Sequence, residues 1–268
     1  MKKIMIMMAA AGLAGCSTSV DLTGKGIELS GVNVERTFDC TDFREVKVSG
    51  MLRVEVRTGG TYGVTLSGDS VLAAQYTVEC RDGVLTVGFT DDHVEGRDLD
   101  EKNYPLASIS LPELKNLSVA GMCSASLTGN VAPEASISIS GMSELKAAND
   151  LSAKSLTVSA AGMSTLKLKS LSAEQISLSA SGESDCTADS VVSSRAELKS
   201  DGMSDVSLAY VKSDRADATS AGMSDMKIKE LYAAGGTLTA AGMSDLIVKK
   251  SSGDFTTSSE GMSTLKLM

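Results

Sequence analysis

The chain has 268 residues, a formal net charge of −9, 42% hydrophobic residues, 3% aromatic ones and no tryptophan. Acidity on that scale argues against a nucleic-acid binder working through phosphate contacts and against adsorption to anionic lipid by charge alone. One histidine, His93, in an acidic stretch excludes a convincing Ser-His-Asp catalytic set.

Residues 1–15 read as a processing signal. Lys2 and Lys3 supply a positive start, Ile4 to Ala11 an apolar run too short to cross a bilayer stably, and Leu13-Ala14-Gly15-Cys16 closes it in the pattern of a bacterial lipobox. Cys16 is then the lipidation site and the new N-terminus, and several acyl chains on one residue anchor stably because each buried methylene contributes about 0.8 kcal/mol. Ser17 is not the aspartate that retains lipoproteins at the inner membrane of enteric bacteria, so an outer-membrane lipoprotein is expected, facing either the periplasm or the outside. Loss of Lys2 and Lys3 takes the charge from −9 to −11.

Residues 16–35 read as lipid anchor and tether, and 36–113 as first coils plus a cap. Val46 to Met51, then Val54 and Val56, alternate apolar with polar residues, as do Gly63–Leu66, Tyr76–Cys80 and, after an Asp82-Gly83 turn, Val84–Phe89. Residues 91–104 form a charged loop with no apolar period. Four cysteines follow Cys16. Cys40 with Cys80 is a possible disulfide that spacing does not decide. Cys123 and Cys186 stand three repeats apart, about 14 Å in a stack of 4.8 Å layers, beyond disulfide reach.

From 114 to 268 a Gly-Met-Ser tripeptide returns about every twenty residues. Its glycines are Gly121, Gly141, Gly162, Gly182, Gly202, Gly222, Gly242 and Gly261. Methionine follows each one except at Glu183, and serine stands one place further except at Cys123. Counted from each glycine, offsets +4 and +6 are apolar (Leu166 and Leu168, Val206 and Leu208, Leu246 and Val248), as are −4 (Val158, Leu198, Leu238) and +9 or +10 (Leu151, Leu171, Leu231), with Ser, Thr, Lys or Asp between. Alternation of period two that itself recurs every twenty residues predicts two or three short strands per coil, each paired in parallel with the next coil. The fold expected is an all-β, right-handed parallel β-helix or solenoid with an irregular N-terminal cap. The glycines are its structural corners, where a positive φ tolerates only glycine cheaply. The stacked serine hydroxyls bond one another or cap corner amides.

The methionines are expected to pack at the corner, in preference to forming an exposed contact stripe or a soft-metal site, which ordinarily brings Cys or His nearby. Acids at +3 (Glu144, Asp185, Asp205, Asp225, Asp245) beside lysines at +5 and +7 read as a solvated charged face rather than a cation site. Tyr210 and Tyr232, on adjacent coils, are the one candidate for a sugar-stacking spot. Thr264 to Leu267 repeats the post-glycine strand and leaves an edge that a second copy or the N-terminal region could cover.

Phe43-Arg44-Glu45-Val46-Lys47-Val48-Ser49-Gly50, Val84-Leu85-Thr86-Val87 and Leu111 to Leu117, followed by the glycine repeats, resemble the auto-transporter adhesin head "GIN" domain family over about 36–268. The resemblance implies a β-helical envelope domain with an adhesin-like role and no catalytic residues. Neither cofactor nor metal is called for. The expected partners are the membrane through the Cys16 lipid, a protein or glycan on the β-helix face, and a second copy through the C-terminal coil. A carbohydrate-active β-helix protein is the alternative.

Overall fold

A computed structural model describes residues 29–90 and 100–268. Cys16 with its signal segment, and His93, lie outside the described residues. The strands in chain order are β1 (Asn33–Phe38), β2 (Glu45–Gly50), β3 (Arg53–Thr58), β4 (Gly63–Asp69), β5 (Tyr76–Arg81), β6 (Val84–Phe89), β7 (Leu106–Leu111), β8 (Leu114–Gly121) and β9 (Ser124–Thr128). The repeats contribute β10 (Val131–Ile139), β11 (Glu144–Ser152), β12 (Ser155–Ala160), β13 (Thr165–Ala180), β14 (Asp185–Ser200), β15 (Asp205–Gly222), β16 (Asp225–Gly242), β17 (Asp245–Val248), β18 (Ser251–Gly261) and β19 (Thr264–Leu267). Together they form a β-solenoid of about eight turns.

Parallel register keeps equivalent residues of successive repeats on top of one another. Ala125, Leu145, Leu166, Cys186, Val206, Met226 and Leu246 make one continuous column. Leu117, Ile137, Val158, Leu178, Leu198, Ala218 and Leu238 make a second. Every one of these side chains is buried, as is the third column through Leu151, Leu171, Val191, Val211 and Leu231. Full burial of a leucine or valine stabilises by about 1.5–3 kcal/mol, and a coil contributes several such residues. The apolar face of one coil is exposed unless another stacks on it, so the core is a property of the stack.

In the central coils the ladder is more continuous than the alternation predicts. β13 to β16 each run 16–18 residues through the bends without losing parallel pairing, in place of two or three separate strands. Departures from a twenty-residue coil are absorbed locally. The extra residue between Gly141 and Gly162 produces a register shift between Ala147 and Asp150. There Asn149 Nδ2 donates to Gly129 O at 2.7 Å.

The N-terminal region does not stack in chain order. Gly50 pairs with Gly121, so β2 and β3 form the layer directly beneath β8 and β9 although 71 residues separate the two glycines. The intervening chain supplies the next layer down, β6 and β7, which pair in parallel with β2 and β3. Beyond that layer the pairing turns antiparallel: β5 on β6, β4 on β7 and β1 on β4. This reversal, with a short helix α1 (Ser70–Ala74), closes that end of the solenoid. β1 begins at Asn33, within the segment read as tether. Asp69 caps α1 by accepting from Val71 N at 2.9 Å and from Gly31 N at 2.8 Å. Burial opposes ionisation of Asp69, but these bonds and one from Ser30 outweigh it and hold the carboxyl below its ordinary value. Cys40 and Cys80 are joined in a disulfide that ties the β1–β2 connection to β5, whereas Cys123 and Cys186 are free and buried.

At the other end β18 pairs with β16, and β19 with β17. Among the described residues no strand pairs with the outer edges of β18 and β19, and Leu267 is 38% exposed.

Candidate functional site

The corner glycines form one straight file. From Gly121 to Gly261 their φ values lie between +77° and +92°, in the left-handed region where a side chain is strained. A Cβ placed on Gly222 would stand 2.8 Å from Gly202 O and 3.1 Å from Gly202 N. The file thus needs glycine both for φ and for close approach of one coil to the next.

Each residue after a glycine donates its amide to the glycine carbonyl of the preceding coil: Met142 to Gly121, Met203 to Gly182, Met223 to Gly202 and Met262 to Gly242, at 2.7–2.8 Å. These bonds fix the methionine backbones at coil spacing, about 4.8 Å. Their side chains do not pack into the corner, contrary to the sequence expectation. Met142, Met163, Met203, Met223 and Met243 are each 51–56% exposed, and Met262 is 78% exposed. Strict alternation explains the orientation. The core residues flanking the corner, at offsets −4, +4 and +6, stand at even offsets, so the odd offset of methionine faces out, and the glycine bend does not reverse that parity.

Serine, one place further, faces in. Ser184, Ser204, Ser224 and Ser244 are fully buried. Ser224 Oγ donates to Ala221 O of its own coil at 2.7 Å or Ser200 O of the coil before at 2.9 Å, and Ser244 repeats the arrangement with Ala241 O and Ser220 O. Ser244 Oγ also accepts from Ala241 N at 3.1 Å. The hydroxyls thus satisfy corner carbonyls and amides in an otherwise apolar interior, which bare alanine would leave unpaired at a cost of about 1–3 kcal/mol.

The N-terminal cap roofs one end of the stripe. Tyr76 is buried, and its hydroxyl donates to Met51 O at 2.7 Å and accepts from Met51 N at 3.0 Å. Burial raises the phenol pKa above its usual range. Phe89 stacks on Tyr76 with ring centroids 4.5 Å apart and lies over Gly50. Met51, the first rung, is buried, and a groove of about 450 Å³ runs from Phe89 and Met51 along Gly121, Gly141 and Gly162 beside Met122, Met142 and Met163.

The other candidate features resolve into local contacts. Lys227 Nζ lies 3.0 Å from Asp225, and Lys167 Nζ lies 2.8 Å from Glu144. Asp225 raises the Lys227 pKa, with Asp205 and Asp245 adding to it. Among the described residues no three His, Cys, Asp or Glu side chains come together as a metal site. The Tyr210 and Tyr232 rings meet at 5.7 Å but tilt by 45°, and Lys250 lies over Tyr232, so they present no flat platform. No helix among the described residues is long and apolar enough to cross a membrane.

Known proteins resemble this chain mainly in architecture. A putative adhesin from Parabacteroides merdae superposes with a TM-score of 0.76 over 90% of this chain and 98% of its own, at 14% identity. A putative adhesin from Parabacteroides distasonis gives 0.76 over 91% and 100%, also at 14% identity. A protein from P. distasonis described as a putative lipid binding protein gives 0.71 over 91% and 100%, again at 14% identity. No curated protein matches the chain. Residues 42–231 match the family model described as "putative auto-transporter adhesin, head GIN domain", a family described by adhesion and not by an enzymatic activity. The match spans more than half of the sequence, and the chain belongs to that family.

Proposed function

We propose that this protein is a non-enzymatic cell-envelope lipoprotein, held in the outer membrane through Cys16, whose solenoid presents the glycine–methionine stripe to an apolar partner surface. One observation carries the reading: a folded chain with a buried core also exposes a file of large apolar side chains, broken at Glu183. Exposed apolar patches of this kind mark contact surfaces, and unbranched methionine adapts to irregular or varied partners better than leucine does. The glycine file beside it lets a partner approach the backbone closely. One structural relative is named a lipid binding protein, and an acyl surface suits the stripe as well as an apolar protein face.

The test is adhesion of the purified chain to immobilised envelope proteins and lipid layers, compared with a variant carrying Met203→Lys, Met223→Lys and Met243→Lys. The stripe reading expects at least a tenfold loss of binding with an unchanged fold. Equal binding would contradict it, and selective binding on a glycan array by both proteins would favour the carbohydrate reading. Palmitate-analogue labelling that vanishes in Cys16→Ala would support the anchor, and labelling that persists would refute it.

A further inference from the structure

The methionine file has a property that apolar contact alone does not require. In the buried columns, where only apolarity matters, residue type changes freely from coil to coil: Leu166, Cys186, Val206, Met226, Leu246. The neighbours just before the glycines also vary, from Ala161 through Ser181 and Asp201 to Glu260. The exposed rung does not vary in this way. It is methionine at every coil from Met122 to Met262 except Glu183, although an exposed corner places no demand on side-chain shape. What leucine or valine could not supply there is a flexible, unbranched chain that carries a sulfur donor.

We propose that the two runs of methionine, half-buried Met122 with exposed Met142 and Met163, and exposed Met203 to Met262, bind soft monovalent metal ions, Cu(I) or Ag(I), by thioether coordination. Thioethers are soft, neutral donors that select Cu(I) over hard ions. A metal–sulfur bond of about 2.3 Å, the length of a zinc–thiolate bond, lets one ion bridge sulfurs up to roughly 4.6 Å apart. The amide ladder holds successive methionine backbones at about 4.8 Å, and three rotatable bonds per side chain bring the sulfurs within that reach. The sequence reading prefers corner packing to metal because soft-metal sites ordinarily bring Cys or His nearby. Exposure removes the corner packing, and a monovalent soft ion does not need Cys or His. The net charge of −9 favours any cation. Glu183 interrupts the file, so each run acts separately and a chain takes up at least two ions.

Thioethers carry no proton, so their affinity does not change with pH, in contrast to thiol sites, which release a proton on binding. The thiols present are poor competitors. Cys123 and Cys186 are buried, and burial pushes their pKa values up to about 11 and about 12.

The inference uses the same stripe as the proposed contact role but does not depend on it, and one variant separates them. Met203→Leu, Met223→Leu, Met243→Leu and Met262→Leu together keep the stripe apolar and remove the four sulfurs of the second run, leaving the three of the first. The probes are anaerobic Cu(I), titrated against a colorimetric chelator, and Ag(I), measured by equilibrium dialysis. The proposal expects at least two ions per wild-type chain, the same in Cys123→Ser/Cys186→Ser, and constant affinity from pH 5 to 7.5. It expects the leucine variant to lose the ions of the second run while keeping adhesion. Copper-edge absorption of Cys123→Ser/Cys186→Ser, whose Cys40 and Cys80 remain joined in the disulfide, should show sulfur ligands alone, a readout that does not depend on the leucine variant folding. Wild-type binding no tighter than that of free methionine, or unchanged stoichiometry in the leucine variant, or loss in the cysteine variant, would each overturn it.

Discussion

Replacing Gly222 with alanine probes the corner most sharply. Gly222 has φ +81°, and a Cβ there would stand 2.8 Å from Gly202 O and 3.1 Å from Gly202 N, both backbone atoms of the coil beneath. Left-handed backbone costs a non-glycine residue about 1–2 kcal/mol. Two close contacts with a backbone held by hydrogen bonds on both sides add a further displacement of the ladder, so the total is about 2–3 kcal/mol. Gly59 supplies the control, since its φ is +89° but nothing lies within 4 Å of its Cβ position. Gly59→Ala therefore carries the φ cost alone, about 1–2 kcal/mol. Thermal unfolding followed by circular dichroism should show Gly222→Ala melting roughly 4–12 °C below wild type, at about 2–4 °C per kcal/mol, and below Gly59→Ala. Identical melting of the two variants would refute the close-approach argument, and a Gly222→Ala melt equal to wild type would refute the corner assignment itself.

Three further outcomes are expected. Leu166→Ala, at a fully buried position between Leu145 and Cys186, should cost about 2–5 kcal/mol in chemical denaturation. Replacing Cys40 and Cys80 by serine opens a loop with a sequence separation of 40, for which chain entropy sets a loss of roughly 4 kcal/mol, measurable as a melt shifted down relative to the oxidised wild type. If the C-terminal edge of β18 and β19 recruits a second copy, light scattering of the full chain should detect a dimer that Leu265→Lys/Leu267→Lys abolishes; a monomer in both would exclude it.

The repeat region was readable because the same answer is written in it many times. Leu117, Leu145 and Leu171 occupy the buried columns that the offsets predict, and a parallel stack in register needs only that the period be kept. The cap was not readable in the same way. Strands β4, β5 and β6 were visible as alternating segments, but nothing local distinguishes Val84–Phe89, which pairs in parallel with β2, from Tyr76–Arg81, which pairs antiparallel with β6. Gly50-Met51 carried the clue to the layer order, since it matches the anchor pattern. Only the tertiary pairing Gly50↔Gly121 shows that the strands β4 to β7 are an excursion beneath it. Helix α1 is five residues long, too short for any helical period to register. The outward methionine follows from parity with the +4 and +6 columns, whereas corner packing requires the glycine bend to reset that parity. The outward orientation was the most informative point missed, since it moves the stripe from the core to the surface.

Oxidative footprinting of the native chain tests that exposure most directly. Dilute hydrogen peroxide converts accessible methionine to the sulfoxide, and peptide mass spectrometry reads each residue. Met142, Met163, Met203, Met223, Met243 and Met262 should oxidise at rates approaching that of free methionine. Met51, which is buried, and Met226, fully buried in the column between Val206 and Leu246, should lag by at least tenfold. Protection of Met223 to the same degree as Met226 would contradict the exposed stripe and with it the contact role built on it.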